Sequence, residues 1–243
     1  MNGRLWRVNK KHAVLYFLRM PIAFFDLDKT LIARNSAVLW VRYEYKRGRV
    51  THRQAVRALA VMTRYHFGGV DLQDALRESI ATLKGTREDH LRERTVEFYQ
   101  ARVQHLYRPG AYTALQEHRA RGDELVLLTS STLYLAEQVR AQLALDASLC
   151  TQFEVNGSGE FTGRPVEPIC FGEGKLAQAR DYAESRGVPL ADCYFYSDSM
   201  SDLPTLEAVG HHVVVNPDVR LKRRAHRLGW VIRDWGRPKK PVS

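Results

Sequence analysis

Two aspartates two residues apart, Asp26 and Asp28, close an apolar run of Ile22, Ala23, Phe24 and Phe25, with Thr30 two positions further on. Residues spaced by two on an extended chain point the same way, so both carboxyl groups would share one small space where the run ends. Carboxylates held that close repel unless a cation or a shared proton relieves them. Mg²⁺ suits such a site of carboxylates, carbonyls and waters. A D-x-D pair also arises by chance on exposed loops, and the apolar lead-in is what sets this one apart.

Three further stretches carry polar groups that end or follow apolar runs. Glu124 to Leu128 opens into Thr129-Ser130-Ser131-Thr132 ahead of a helix, and hydroxyls with free N–H groups at a helix start can cradle a phosphate, although such runs commonly serve only as N-caps. Lys175 follows the turn Gly172-Glu173-Gly174 into the first turn of a helix, where the helix dipole offers a cation nothing; its placement asks for an anion. Asp198 and Asp202 lie four apart after the apolar run 193–196. Asp202 alone could be an N-cap, whereas Asp198 repeats the logic of Asp26.

These groups need strands to carry them. The apolar runs at 22–25, 124–128, 193–196, 211–215 and 230–232 read as strands of a parallel sheet buried on both faces, and open α/β sheets bind ligands at the carboxyl ends of their strands. Helices are expected over 111–121 (ending at Gly122), 133–143, 175–186, 202–209 and 218–228, with a hairpin over 153–164 around Asn156-Gly157. Residues 35–107 differ in texture: no proline, one double glycine (Gly68-Gly69), and apolar residues at helical spacing, among them Leu39, Tyr43, Val56, Leu59, Ala60, Met62 and Thr63, then Leu72, Leu76, Ile80 and Leu83. Three or four helices are expected there. Inserted beside a catalytic strand end, such a bundle closes over the site as a cap, or else decorates the fold without choosing substrates. The expected organisation is a basic N-terminal extension (1–20), an α/β core (21–34 and 108–233), a helical cap (35–107) and a basic tail (234–243).

A 243-residue chain with 44% hydrophobic residues describes a globular protein, and no apolar run approaches the roughly 18 residues of a membrane span. The net charge of +10 resembles a nucleic-acid signature until it is located. Residues 1–20 hold five cations and no acid, and residues 220–243 hold nine cations against Asp234, so the remainder is net acidic. Solvated ends, rather than a nucleic-acid groove, are the reading adopted. Residues 1–19 carry an apolar patch, Ala13 to Leu18, shorter than a signal h-region and without a cleavage site; they read as a peripheral arm, or as lying upstream of a natural start at Met20. Cys150, Cys170 and Cys193 form neither a zinc pattern nor a disulfide framework, which fits a reducing cytoplasm.

In chain order, D-L-D-K-T at 26–30, Thr129, Lys175 and D-S-M-S-D at 198–202 resemble the motifs of the haloacid-dehalogenase superfamily, most closely its phosphoserine-phosphatase-like branch, subfamily IB, whose helical cap is inserted at the same place. The resemblance covers about 21–233. It implies a Rossmann-like doubly wound parallel sheet with a helical bundle cap, and a Mg²⁺-dependent phosphatase acting on a small phosphorylated metabolite. By that resemblance Asp26 is the nucleophile that becomes an aspartyl-phosphate, and Asp28 the acid/base. Asp26, Asp198 and the backbone carbonyl of Asp28 hold Mg²⁺; Thr129, Ser130 and Lys175 bind the phosphoryl oxygens; Asp202 supports the metal site from behind. Phosphoryl transfer needs this kind of positioning and charge neutralisation above all. Three positions depart from the family: Ser197 stands where glycine is common, Lys29 where a small residue is frequent, and Asn35 where phosphoserine phosphatases carry the glutamate that holds the serine ammonium.

Phosphoserine, histidinol phosphate and other amino-alcohol or sugar phosphates stay open as substrates, as does the oligomeric state. The 13 basic against 8 acidic residues of 35–107 accord with an anionic substrate. Of the readings from other classes, a nucleic-acid or acidic-partner binder with an idle phosphatase core is suggested by the basic ends and opposed by the complete residue set. A glycosyltransferase using D-L-D leaves Thr129, Lys175 and Asp198 unexplained.

Overall fold

The computed structural model describes residues 20–66 and 72–238. The expected arm 1–19, the Gly68-Gly69 break and the end of the tail, 239–243, lie outside the described residues.

Ile22–Phe25 (β1) is fully buried, as an apolar run packed on both faces must be. It pairs in parallel with Glu124–Thr132 (β2) on one side and Tyr194–Ser197 (β6) on the other. Beyond β2 lies Ala147–Thr151 (β3), and beyond β6 lie His211–Val215 (β7) and Ile232–Arg233 (β8). The order β3-β2-β1-β6-β7-β8, parallel throughout, reverses direction between β1 and β6. Phe153–Val155 (β4) and Phe161–Pro165 (β5) form a separate antiparallel hairpin.

Between β1 and β2 the chain runs through Ser36–Lys46 (α1), His52–His66 (α2), Leu72–Ala81 (α3) and Glu88–Phe98 (α4), the last continuing into a π-helical turn at Tyr99–Val103. Pro109–Arg121 (α5) then returns to the sheet. It starts at its proline, the favoured first helical position, and ends at Gly122 with φ 79°, the left-handed cap expected of that glycine. Leu133–Leu143 (α6), Glu173–Ser185 (α7), Leu203–Ala208 (α8) and Val219–Leu228 (α9) complete the layers.

Two cores result. One face of the sheet (Ala23, Phe25, Leu125, Leu127) packs with Leu115 of α5, Val139 of α6 and Phe98 of α4; the other (Phe24, Val126, Phe195, Val214) packs with Ala179 of α7, Leu206 of α8 and Leu221 of α9. The chain is therefore a doubly wound α/β domain with a helical insert.

The structure adds three features to the expectation. β3 had no signal, being short and half-buried over its first residues. β2 runs beyond Leu128 through the hydroxyl run, because Thr132 pairs with Thr151 past an irregularity in the register. Past β8, Trp235 folds back under the sheet, tilted against Tyr196 at 5.3 Å and so close to Gly110 that a Cβ there would stand 2.5 Å from its ring. Among the described residues no helix is long and apolar enough to cross a membrane.

Candidate active site

Asp26 is the first residue past β1, yet its N–H still bonds to Tyr196 O at 3.0 Å, so the sheet fixes its backbone. The chain then turns sharply: Leu31 N and Ile32 N return to the carbonyls of Asp26 and Leu27. Lys29 sits in this loop at φ 58°, a conformation that costs a residue bearing Cβ about 1 kcal/mol. The buried guanidinium of Arg108 donates from Nε to Lys29 O at 3.1 Å and holds it there.

Lys175 reaches Asp26 from α7. Gly172, at φ 55°, turns the chain, and a Cβ on Gly174 would lie 2.1 Å from Ile169 O; the close approach requires glycine and swings Lys175 inward. Its side chain is 2% exposed, with Nζ 2.9 Å from Asp26 Oδ1 and 2.8 Å from Asp202 Oδ1. Burial works to lower the Lys175 pKa, but the charges of Asp202 and Asp26 outweigh it and raise it, so the group is an ammonium. Burial lifts Asp26 to about 7 against the pull of Lys175, with Asp202 adding to the rise.

Asp202 makes no capping bond to α8. It is held instead by Lys175 and by Ser197 Oγ at 2.6 Å. Ser197, read from sequence only as a departure, is thus a buried link that also accepts from Ser199 N. Asp198 is 4% exposed, and its carboxylate forms no ion pair or hydrogen bond among the described residues. Burial, then the charge of Asp26, push its pKa well above the usual carboxylate value. Asp28 faces the insert: Ser36 N donates to its Oδ1 at 2.8 Å and Ser36 Oγ to its Oδ2 at 3.0 Å. Burial raises its pKa while these two bonds oppose the rise.

On β2, Leu127 is level with Phe25, which brings Thr129 to the same edge as Asp26. The buried Thr129 Oγ1 accepts from Ser131 N at 3.1 Å, and Ser130 O accepts from Thr151. Neither Thr129 nor Ser130 bonds directly to the aspartates. The structure thus joins Asp26, Lys175 and Asp202 in one contact, sets Asp28 against Ser36, and leaves the hydroxyl run beside them. The sequence gives no sign of the supporting contacts that Ser36, Ser197 and Arg108 make. In the sequence Arg108 stands out only as the first residue of the second core segment, 108–233, and Ser36 only as a residue at the edge of the insert.

The donor set fits a hard divalent cation. Four carboxyl groups (Asp26, Asp28, Asp198, Asp202) lie at this strand edge with one buried ammonium, which contacts only Asp26 and Asp202, and buried charge in excess demands a counter-ion. No described backbone group donates to the carbonyl of Asp28, which leaves a carbonyl oxygen as well as the Asp198 carboxylate. Among the described residues no three His, Cys, Asp or Glu side chains are grouped to hold an ion, so a cation there would have to take two carboxylates, the carbonyl and non-protein oxygens, a sparse donor set of the kind that Mg²⁺ accepts.

The model of the haloacid dehalogenase-like hydrolases matches residues 23–207. A probable phosphatase of Mycobacterium tuberculosis is 32% identical over 89% of this chain and 76% of its own length. A histidinol-phosphatase of Neisseria meningitidis serogroup C is 30% identical over 87% of this chain and 97% of its own. Among solved structures, a phospho-aspartyl intermediate analogue of phosphoserine phosphatase superposes with a TM-score of 0.67 at 16% identity, over 91% of this chain and 96% of the other, a likeness of fold. The chain belongs to the haloacid dehalogenase-like hydrolase family. Within it, this is a phosphomonoester hydrolase.

Proposed function

We propose that the protein hydrolyses a small phosphorylated metabolite in two steps through an aspartyl-phosphate on Asp26, with Mg²⁺ as cofactor. The observation that carries this reading is the Lys175 ammonium bridging Asp26 and Asp202 at a buried sheet edge, with Asp198, which has no side-chain partner among the described residues, beside them.

In the first step an Asp26 carboxylate oxygen forms a bond to phosphorus, the ester P–O bond breaks, and the departing oxygen takes a proton from Asp28. In the second, Asp28 takes a proton from water, the water oxygen bonds to phosphorus, and the acyl-phosphate bond breaks to restore Asp26 and release phosphate. Lys175 neutralises charge on the phosphoryl oxygens, with Thr129 and Ser130 beside it on β2. Asp202 and Ser197 fix the ammonium. Asp26, Asp198 and the Asp28 carbonyl would hold Mg²⁺, which would supply charge neutralisation on the transferring group. The helical insert 35–107 acts as a cap over this edge.

Asn35 bears on the substrate. Its Oδ1 accepts from Val38 N at 2.9 Å and so caps α1; the position that carries an ammonium-binding glutamate in phosphoserine phosphatases is here neutral and turned to its own helix. That favours a phosphomonoester other than phosphoserine, and the likeness to a histidinol-phosphatase puts amino-alcohol phosphates first on a panel. The three cysteines are free and buried, in keeping with a reducing compartment such as the cytoplasm.

The test is phosphate release from a panel of phosphomonoesters, including 4-nitrophenyl phosphate, by wild type and Asp26→Asn with Mg²⁺ or with EDTA. Release that needs both Mg²⁺ and Asp26 is expected. Release that survives in Asp26→Asn would overturn the mechanism.

A further inference from the structure

Asp28 has to give a proton in one half-reaction and take one in the other, so its carboxyl group must be aimed at the leaving oxygen and not merely present. In this structure its oxygens are held from α1, the first helix of the insert. Ser36 N, one of the N–H groups that a helix start leaves without an intrahelical partner, meets Oδ1 at 2.8 Å. Ser36 Oγ meets Oδ2 at 3.0 Å. The same hydroxyl lies 3.1 Å from Ser131 Oγ on β2, and Ser36 is 3% exposed. Another free N–H of the helix start, on Val38, is taken by Asn35, so the helix start serves both its own cap and Asp28.

We propose that Ser36 is the positioning residue of the acid/base: it orients the Asp28 carboxyl group and ties that orientation to the seat of α1 on the core. This deepens the phosphatase reading and rests on it. Ser36 N and Oγ each donate to one carboxyl oxygen, which leaves a lone pair on each oxygen for the proton exchanged with the leaving group or with water, and Ser131 Oγ can donate to Ser36 Oγ in turn. One Ser36 rotamer therefore serves both half-reactions. Because Ser36 begins the insert, a displacement of α1 from the β2 edge separates Asp28 from its guide, and the acid is aligned only while the insert is seated.

The experiment compares kcat/KM, which reports the step that forms the aspartyl-phosphate, for two kinds of substrate: 4-nitrophenyl phosphate, whose leaving group departs without a proton, and the best alkyl phosphate of the panel, whose leaving group needs one. Ser36→Ala, Ser36→Thr and wild type are measured with Mg²⁺, each checked by thermal melting. General acid catalysis contributes about 10²–10⁴-fold. Ser36→Ala should therefore lose at least about tenfold more on the alkyl than on the aryl substrate, and Ser36→Thr, which keeps the hydroxyl, should restore most of that difference. Equal losses on the two substrates, or a Thr variant as selective in its defect as Ala, would overturn the assignment while leaving the phosphatase reading in place. A wild type that releases phosphate from neither substrate would overturn both.

Discussion

Lys175 Nζ stands between Asp26 and Asp202, 2.9 Å from Oδ1 of the first and 2.8 Å from Oδ1 of the second. One buried ammonium thus serves two carboxylates from opposite sides of the strand-order reversal. Removing it leaves two buried carboxyl groups without a countercharge, a loss of the kind that costs about 3–5 kcal/mol. Lys175→Ala should lower the denaturant midpoint and cut kcat/KM by about 100-fold or more, as loss of a preorganised charge-stabilising group does. A change under about tenfold in kcat/KM would remove Lys175 from the site.

Asp26→Asn keeps the shape of the side chain and its place at the end of β1 while removing its nucleophilic carboxylate. Turnover should vanish with the far-UV circular dichroism unchanged. Acid quenching during turnover should trap a labelled phosphoenzyme in wild type and none in the variant. A trapped species in the variant would place the nucleophile elsewhere.

Ser197 gives Asp202 its second donor, at 2.6 Å. The hydroxyl supports a residue that itself only supports Lys175, so its effect should fall on stability. Ser197→Ala should cost about 1–3 kcal/mol, as a buried acceptor loses its partner, and leave kcat/KM within about tenfold. Urea unfolding beside steady-state kinetics separates the two effects, and a large kinetic loss at unchanged stability would refute the ranking.

His118 supplies a pH signature away from the reaction. It is fully buried on α5, with Nδ1 2.6 Å from Asp123 and Nε2 2.8 Å from the Tyr196 hydroxyl, and with Arg121 also against Nδ1; Phe25, Tyr194 and Tyr196 box the ring. Burial lowers its pKa, which Asp123 only partly offsets, so the unfolded chain binds the extra proton. Its contribution is complete above the unfolded value of about 6.5 and drains as pH falls below it, by at most about 1.4 kcal/mol per pH unit. Melting temperatures between pH 8 and 5.5 should fall more steeply for wild type than for His118→Gln, and parallel slopes would dismiss the effect.

The residues that end apolar strands were the legible part of the site. Asp26 and Asp198 announce themselves because an apolar run that stops on a carboxylate has few uses, and Lys175 because glycines on both sides of Glu173 imply a forced turn. Their supports were silent. Ser36, Ser197 and Arg108 are polar residues at segment boundaries, where hydroxyls and guanidinium groups usually mean capping or solvent, and only tertiary placement gives them partners. In the fold, the long central strands were plain from buried runs. β3 was not, since an edge strand with a half-buried start lacks both the alternation and the apolar continuity that mark a strand. The Asn156-Gly157 hairpin was legible, but its turn is longer than that dipeptide implies: Val155 pairs with Phe161, and Asn156 Oδ1 gathers Ser158 N and Glu160 N.

That hairpin leaves the core between β3 and α7, yet its hydrogen bonds run to the insert. Gly85 N and Thr86 O bracket Phe161 at 2.9 Å each, Glu88 N reaches Gly159 O at 2.9 Å, and Phe161 packs with Leu91 and Tyr134. The insert is therefore joined by a second, separate length of chain. A chimaera that exchanged 35–107 alone for the corresponding piece of another hydrolase would lose the hydrogen bonds that Gly85, Thr86 and Glu88 make to the hairpin. The exchangeable part is 35–107 together with 153–165, and recombination of the two lengths as a pair is what should preserve a working enzyme.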